Sequence, residues 1–394
     1  MPKKSNTRGA QGGGSIRRYN ETTWQGRVTV GRDPGTGKQI QRSFYGKTQA
    51  EVQKKMNEAL HQIDAGIYTA PSKLTMAQWL DIWADEYTGG IKEQTRDHYR
   101  TVSRVHLKPA LGSVKLSALK PHLIQALYNR LVREENKSPK TVKNINGVLH
   151  KALQQAVLLQ YIPANPCQAV QLPKVEKAGI KPLTEAQTLD FLAAIRGSEY
   201  EDILKVDLFT GLRQGEIMGL TWDRVDFRAG TILIDRQMIY ERHSGGVYSF
   251  ASTKTDRARR IKPAPFVMDI LRAVRRKQIV QRRTAGDKWD EGSFTGAGLV
   301  FTSPLGLHYS KTTLTHQVSR IGKRIGAPAL RFHDLRHTYA VMSIRAGDDI
   351  KTISSNLGHS TITITMDTYA HFTEDMANDS ASRMQAYSAR LGAV

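Results

Sequence analysis

The chain has a single cysteine, Cys167, in 394 residues. That excludes an internal disulfide and any zinc site built from several cysteines. A lone thiol in apolar company reads as packing, and such sparing use of cysteine fits a reducing, cytoplasmic setting. Long apolar runs are missing too: nothing approaches the ~18 residues that would suggest a membrane-spanning helix. The first fourteen residues are basic and glycine-rich, without the apolar segment of an export signal, so neither export nor a membrane partner is expected. Acidic residues are scarce. Only 36 Asp and Glu face 58 Lys and Arg, a formal charge of +22, and an excess of that size points to a polyanionic partner, by default nucleic acid. Hydrophobic residues still make up 39%, enough for packed cores, and the length asks for two or three domains.

Behind a basic arm, Ser15–Tyr19, Trp24–Gly31 and Gln39–Tyr45 read as strands, with Asp33-Pro34-Gly35-Thr36-Gly37 as hairpin-turn chemistry between the last two. Thr48 caps a helix to about Asp64, with Val52, Met56, Leu60 and Ile63 on one face. A small arginine-rich sheet with one helix is one way to place a β-ribbon in a major groove; the alternative is an appended domain with solvated arginines. Gly35-Thr36-Gly37-Lys38 is no phosphate loop. Gly31 lies one residue too far upstream, Gln39 stands where Ser or Thr is needed, and the segment falls in a hairpin.

Helical spacing then predicts Thr75–Tyr87, Gln94–Leu107, Pro121–Glu134 and Ser138–Gln160, with Leu107, Leu111 and Leu116 in an irregular piece. Lys92, Arg96, Arg100 and Arg104 recur every fourth residue, a stripe suited to phosphates or simply a solvated face. Pro163, Pro166 and Pro173 end this part, and 171–180 is a linker. From Lys181 onward, helices enclose a β section (Thr231–Asp235, Met238–Tyr240, Val247–Ser252, Arg259–Lys262), a mixed α+β pattern.

Four stretches in this last part carry chemistry. Thr210-Gly211-Leu212-Arg213-Gln214-Gly215-Glu216 holds an arginine at a helix start, and Ser252-Thr253-Lys254-Thr255 ends a strand. His333-Asp334-Leu335-Arg336-His337-Thr338 sets His333 and Arg336 on one helical face. Leu357-Gly358-His359-Ser360 precedes Tyr369 by ten residues counted from the histidine. At these stretches the chain resembles the tyrosine recombinase family, specifically the integrases of phages and conjugative transposons. The resemblance implies a catalytic set of Arg213, Lys254, His333, Arg336, His359 and Tyr369, the last as nucleophile. It implies double-stranded DNA with core-type and arm-type sites as partner, a homotetramer assembled on that DNA, and accessory excision or bending factors. It also implies a multidomain layout: a β-sheet-plus-helix arm-binding domain (Met1–Pro71), an all-α core-binding domain with linker (Ser72–Gly179) and a mixed α+β catalytic domain (Ile180–Val394).

The chemistry of the residues agrees with that set. A phosphodiester under attack gathers charge on its non-bridging oxygens, and guanidinium meets it bidentately without losing its own charge. Phenol titrates near 10, so Tyr369 needs a base, for which His333 is the candidate. Its phosphate ester keeps the bond energy, so a DNA hydroxyl can later displace it. The departing 5′ oxygen needs a proton, and Lys254 looks like the family's general acid, while His359 would donate a hydrogen bond to the phosphate. Ala258 stands where the family has a small hydroxyl residue before its basic pair, so Lys262 is the second candidate for the lysine. Glu216 reads as the structural partner of Arg213, and His337 and His371 as packing or hydrogen-bonding residues. No metal or cofactor is called for. The rival is a zinc hydrolase built on His333 and His337, against which stand Asp334 in place of Glu and Arg336 beside the would-be dication. A type IB topoisomerase shares the cleavage chemistry, and a non-cutting DNA-binding regulator is the non-enzymatic alternative. Met376, Asp379 or Ser380, Arg383, Met384, Tyr387 and Leu391 predict an amphipathic tail helix; in the resembling family such a tail docks on a neighbouring protomer, and the alternative is a helix folded back on its own catalytic domain.

Overall fold

The computed structural model describes residues 14–32, 38–64, 74–176, 179–241, 246–253, 257–369 and 384–391. The chain forms two compact units, Met1–Lys177 and Ala178–Val394. Among the described residues no helix is long and apolar enough to cross a membrane.

The first unit opens with an antiparallel sheet, β1 (Ser15–Arg18), β2 (Trp24–Arg32) and β3 (Gln39–Gly46), ordered β1-β2-β3. The turn predicted at 33–37 lies outside the described residues. Because side chains alternate along a strand, one face presents Val28, Ile16, Trp24 and Phe44, which pack on Val52 and Met56 of helix α1 (Gln49–Asp64). The opposite face is polar: Gln25 accepts from Arg17 Nε at 2.9 Å and donates to Ser43 Oγ and Tyr45 Oη, while Arg27 is exposed beside them.

Helices α2 (Met76–Glu86), α3 (Glu93–Val102), α4 (Lys108–Leu111), α5 (Pro121–Arg133) and α6 (Pro139–Leu158) follow. Their starts are written locally. Thr75 and Gln78 form a capping box, Ser138 caps α6, and Pro121 and Pro139 sit in first turns, where a missing N–H costs nothing. Trp79, Leu80, Leu127, Ile145 and Leu149 fill the shared core, and the Trp79 indole donates to the Ala152 carbonyl at 3.0 Å. The helix expected over Gln94–Leu107 is not continuous. A π-helical turn occupies Ser103–Leu107, and its wider winding rotates Arg104 away from a strict four-residue repeat. The predicted basic stripe is further weakened by pairing: Arg96 bonds Glu93, and Arg100 bonds both Glu93 and Asp85.

The second unit runs α7 (Glu185–Ile195), α8 (Glu201–Thr210) and α9 (Gln214–Met218), then β4 (Val225–Asp226), β5 (Thr231–Ile234), β6 (Arg236–Glu241), β7 (Val247–Ser252) and β8 (Arg259–Ile261). Helices α10 (Pro265–Ala285), α11 (Lys311–Arg324), α12 (Phe332–Arg345), α13 (Ile350–Leu357) and α14 (Ile362–Tyr369) complete it. The strands form a sheet ordered β4-β5-β8 and a separate β6-β7 ribbon. Phe191, Leu204, Ile217, Ile232, Leu271, Val300, Leu314 and Leu335 join helices and sheet in one core. A smaller cluster of Val341, Ile344, Ile353, Leu357 and Tyr369 binds α12, α13 and α14. In the tail, residues 384–390 are helical and Met384, Tyr387 and Leu391 are exposed.

Trp79→Ala removes a fully buried indole and leaves the Ala152 carbonyl without its donor, and is expected to cost about 3–5 kcal/mol. Urea unfolding measures it; a loss under about 1 kcal/mol would mean that the helical core does not depend on this contact.

Candidate active site

Three elements of the second unit converge on one cluster of charge. Arg213 stands just before α9 with extended backbone, and Glu216, one turn on, reaches back to its N–H (2.9 Å) and to its Nη1 (2.8 Å). Glu216 is also gripped from the sheet: Arg259 of β8 sends both terminal nitrogens to the two carboxylate oxygens, at 3.0 and 2.7 Å. Burial alone would raise the Glu216 carboxyl, but the Arg259 and Arg213 guanidiniums hold it down at about 2. Arg336, on α12 and 2% exposed, donates to the carbonyls of Gly211 (2.8 Å) and Leu357. Burial and the nearby Arg213 lower it to about 9, which still leaves it charged at neutral pH. Arg259 Nε takes the Asn356 carbonyl at 2.8 Å and Arg213 Nη2 the Gly358 carbonyl at 3.0 Å. Three arginines therefore hold three consecutive carbonyls at the end of α13, where the helix dipole is negative. Around Glu216 three guanidiniums face one carboxylate, and the positive excess suits an anion. Asp207 of α8 lies beneath, fully buried, and burial pushes its carboxyl well above the usual range, so the interior favours its protonated form.

The neutral groups sit beside this cluster. Tyr369, the last residue of α14, is 1% exposed, and burial lifts its phenol to about 12 against the pull of Arg336. Its hydroxyl lies 2.8 Å from Nδ1 of His337. The rings of His333 and His337 meet edge to face, 5.0 Å between centroids. His359 follows α13, and its Nδ1 is fixed at 2.7 Å by Thr365 Oγ1, a hydroxyl with no exposure. Burial, followed by neighbouring cations and imidazoles, holds His333 and His359 at about 4 and lowers His337, so all three imidazoles are neutral at physiological pH.

Of the residues expected from the sequence, Arg213, His333, Arg336, His359 and Tyr369 thus come together. Lys254 lies outside the described residues; Thr253 and Arg257 flank it, joined by a 3.2 Å hydrogen bond from Thr253 Oγ1 to the Arg257 carbonyl. Lys262, the second candidate for the lysine, is exposed just past β8. His371 is also outside the described residues. Glu216 makes the contact with Arg213 that its spacing suggested. The partner of the Tyr369 hydroxyl, however, is His337 and not His333, the base expected from sequence. Arg259 and Thr365 had not been singled out. Their signal is faint in the sequence, because the contacts each makes exist only in the fold. Among the described residues no group of three or more His, Cys, Asp or Glu side chains could hold a metal ion.

Residues 181–376 match the phage integrase family, and residues 75–132 match the N-terminal SAM-like domain of phage integrases. A tyrosine recombinase XerC-like protein of Caldanaerobacter subterraneus is 31% identical over 87% of this chain and 91% of its own length. The chain belongs to the tyrosine recombinase family. An integrase of Streptomyces ambofaciens is 26% identical, covering 88% of each chain. In fold, this recombinase is similar to the Tn1549 transposon integrase solved with transposon right end DNA (TM-score 0.67, 24% identity, 79% of this chain and 100% of that one). It is also similar to a lambda integrase tetramer bound to a Holliday junction (TM-score 0.52, 18% identity, 88% and 96%). The family fixes the class of reaction: this is a DNA breaking-rejoining enzyme, a site-specific recombinase of the integrase type.

Glu216 carries a pH signature. Its carboxyl sits at about 2 in the folded protein against an ordinary 4.5. A depressed acid stabilises fully above its ordinary value and loses that contribution as pH falls towards the folded one, here about 3 kcal/mol. Glu216→Gln should therefore lower stability at pH 7 by about that amount and flatten the acid limb of the stability profile. Chemical denaturation at stepped pH tests this; an unchanged acid limb would remove Glu216 as the anchor of the cluster.

Proposed function

We propose that this recombinase integrates and excises a mobile element, with Tyr369 as nucleophile and Arg213, Lys254, His333, Arg336 and His359 as its catalytic partners. One observation carries the reading: the Tyr369 hydroxyl meets a neutral imidazole, His337, and lies near Arg336 in a cluster with an excess of fixed positive charge. Tyr369 attacks a backbone phosphate and forms a 3′-phosphotyrosyl link, and the free 5′ hydroxyl leaves. The bond energy stays in the ester, so the hydroxyl of another strand can reseal it. Arg213 and Arg336 take the charge that builds on the non-bridging oxygens. Lys254 gives the leaving oxygen its proton.

The +22 charge and related integrases solved on DNA support double-stranded DNA as partner. Residues 1–71 form the arm-binding domain, in which the polar sheet face with Arg17 and Arg27 reads a major groove. Residues 72–179 bind the core site, and 180–394 catalyse. Two separate DNA contacts in one chain let it bridge distant sites, because the second contact benefits from a raised effective concentration. A homotetramer on DNA gives the exposed Met384, Tyr387 and Leu391 a surface to cover them; excision and bending factors assist.

Tyr369→Phe should abolish the covalent adduct with a suicide core substrate while leaving DNA affinity within about twofold, since only a hydroxyl is lost. The wild-type adduct should form undiminished in EDTA. An adduct from the Phe variant, or loss on chelation with rescue by zinc, would overturn the assignment. Deleting residues 1–71 should spare core-site cleavage but cripple recombination on full-length element ends; equal recombination by both proteins would sink the bridging role.

A further inference from the structure

The proton on Tyr369 needs an acceptor, and the residue in contact with it is not the one the family motif suggests. We propose that His337 is a catalytic residue: it holds the Tyr369 hydroxyl in the resting site and accepts its proton during strand cleavage. The inference rests on Tyr369 being the nucleophile.

The geometry is direct. Nδ1 of His337 stands 2.8 Å from the Tyr369 oxygen, and the two rings lie 5.8 Å apart at 61°. The hydroxyl is protonated, because burial raises it to about 12. A buried O–H needs an acceptor, and Nδ1 is the group in place to serve. The bond therefore runs from Tyr369 Oη–H to an unprotonated Nδ1, with the ring proton on Nε2. The surroundings keep the ring in that form. From its own helix His333, Asp334, Arg336 and, at the N-cap, Arg331 face it; α14 contributes Tyr369 and the turn after α13 His359. Burial and the arginines outweigh Asp334, and the imidazole is held neutral. His333 has no such contact; its ring meets the edge of His337.

The step balances. The Tyr369 Oη–P bond forms as the P–O5′ bond breaks; the phenol proton passes to Nδ1 of His337, and the 5′ oxygen takes its proton from the general acid. The imidazolium that forms is offset by the phosphate anion now held in the site. In resealing, the attacking 5′ hydroxyl returns its proton to the acid, and His337 gives its own back to the departing Tyr369 oxygen. Positioning comes with the same bond, since it fixes the hydroxyl's rotor and holds α14 on α12.

Single-turnover cleavage by the full-length protein tests this, using a suicide substrate whose scissile 5′ oxygen is replaced by sulfur. Sulfur leaves without a proton, so the general acid drops out and the base alone is read. Wild type should be flat between pH 7 and 9, because His337 is already neutral there. His337→Ala should be slower by roughly 100-fold or more at pH 7 and should gain close to tenfold per pH unit as the phenol ionises unaided. His337→Asn offers an acceptor near the Nδ1 position but cannot take a proton, so it should keep fold and DNA affinity and share the slow, pH-dependent rate. A wild-type rate and flat profile in His337→Asn would overturn the proton transfer, as would the sloping profile appearing in His333→Asn and not in His337→Asn. Tyr369→Phe is run alongside. An adduct that survives in it removes the nucleophile assignment itself, an outcome separable from failure at His337.

Discussion

The buried carboxylate of Glu216 is the interaction on which the second unit depends. Its side chain has no exposure, and it binds two guanidiniums from different elements, Arg213 before α9 and Arg259 on β8. An ion taken out of water is tolerated only if it is paired and its remaining lone pairs are met; four hydrogen bonds to the two oxygens meet that condition. Each arginine then reaches past Glu216 to the end of α13, so one carboxylate ties a helix start, a strand and a helix end to one point. Removing either kind of partner strands charge in the interior, and for that reason the cluster behaves as one object.

This anchoring also solves a chemical problem. An anion-binding site needs cations that are fixed before the anion arrives, because reorganising them during reaction would cost part of what they contribute. A guanidinium has five N–H donors. Arg213 spends two on Glu216 and the Gly358 carbonyl, and Arg336 spends two on the Gly211 and Leu357 carbonyls. The bonds to the protein hold each plane still. Beside these fixed charges the Tyr369 phenol and its imidazole neighbours are neutral, so the anion-binding charge comes from the guanidiniums and not from groups that titrate near neutral pH.

What the sequence disclosed was the local part. Thr75 and Ser138 mark helix starts by their own side-chain chemistry, and helical spacing placed Val52 and Met56 on one face of α1, the face that packs on the sheet. The five candidate site residues within the described range could be singled out because each sits in a short motif of recognisable composition and spacing. Arg259 was not, since its partner Glu216 is 43 residues away and nothing near either one announces the pairing. His333 and His337 lie three residues before and one after Arg336 on the same helix, and only the packing of α14 decides which ring meets Tyr369. The basic stripe on α3 departs from the expected regular spacing for a related reason. Spacing assumed a regular helix through Ser103–Leu107 and took no account of Asp85, which reaches Arg100 from α2.

Two of the three glycines in the motifs, Gly211 and Gly358, have a physical reason that spacing alone could not supply. Gly211 and Gly358 end α8 and α13 with φ of +61° and +64°, a left-handed turn that side chains resist. In that conformation their carbonyls swing out of the helices and become acceptors, Gly211 for Arg336 and Gly358 for Arg213. Neither position has room for a side chain. A Cβ on Gly358 would come within 2.9 Å of Arg259, and one on Gly211 within 2.4 Å of the Tyr339 ring. The arginines can lie flat against these turns because nothing projects from them. The glycines and the arginines are therefore one device: the bare turn leaves room for the guanidinium, and its carbonyl orients it.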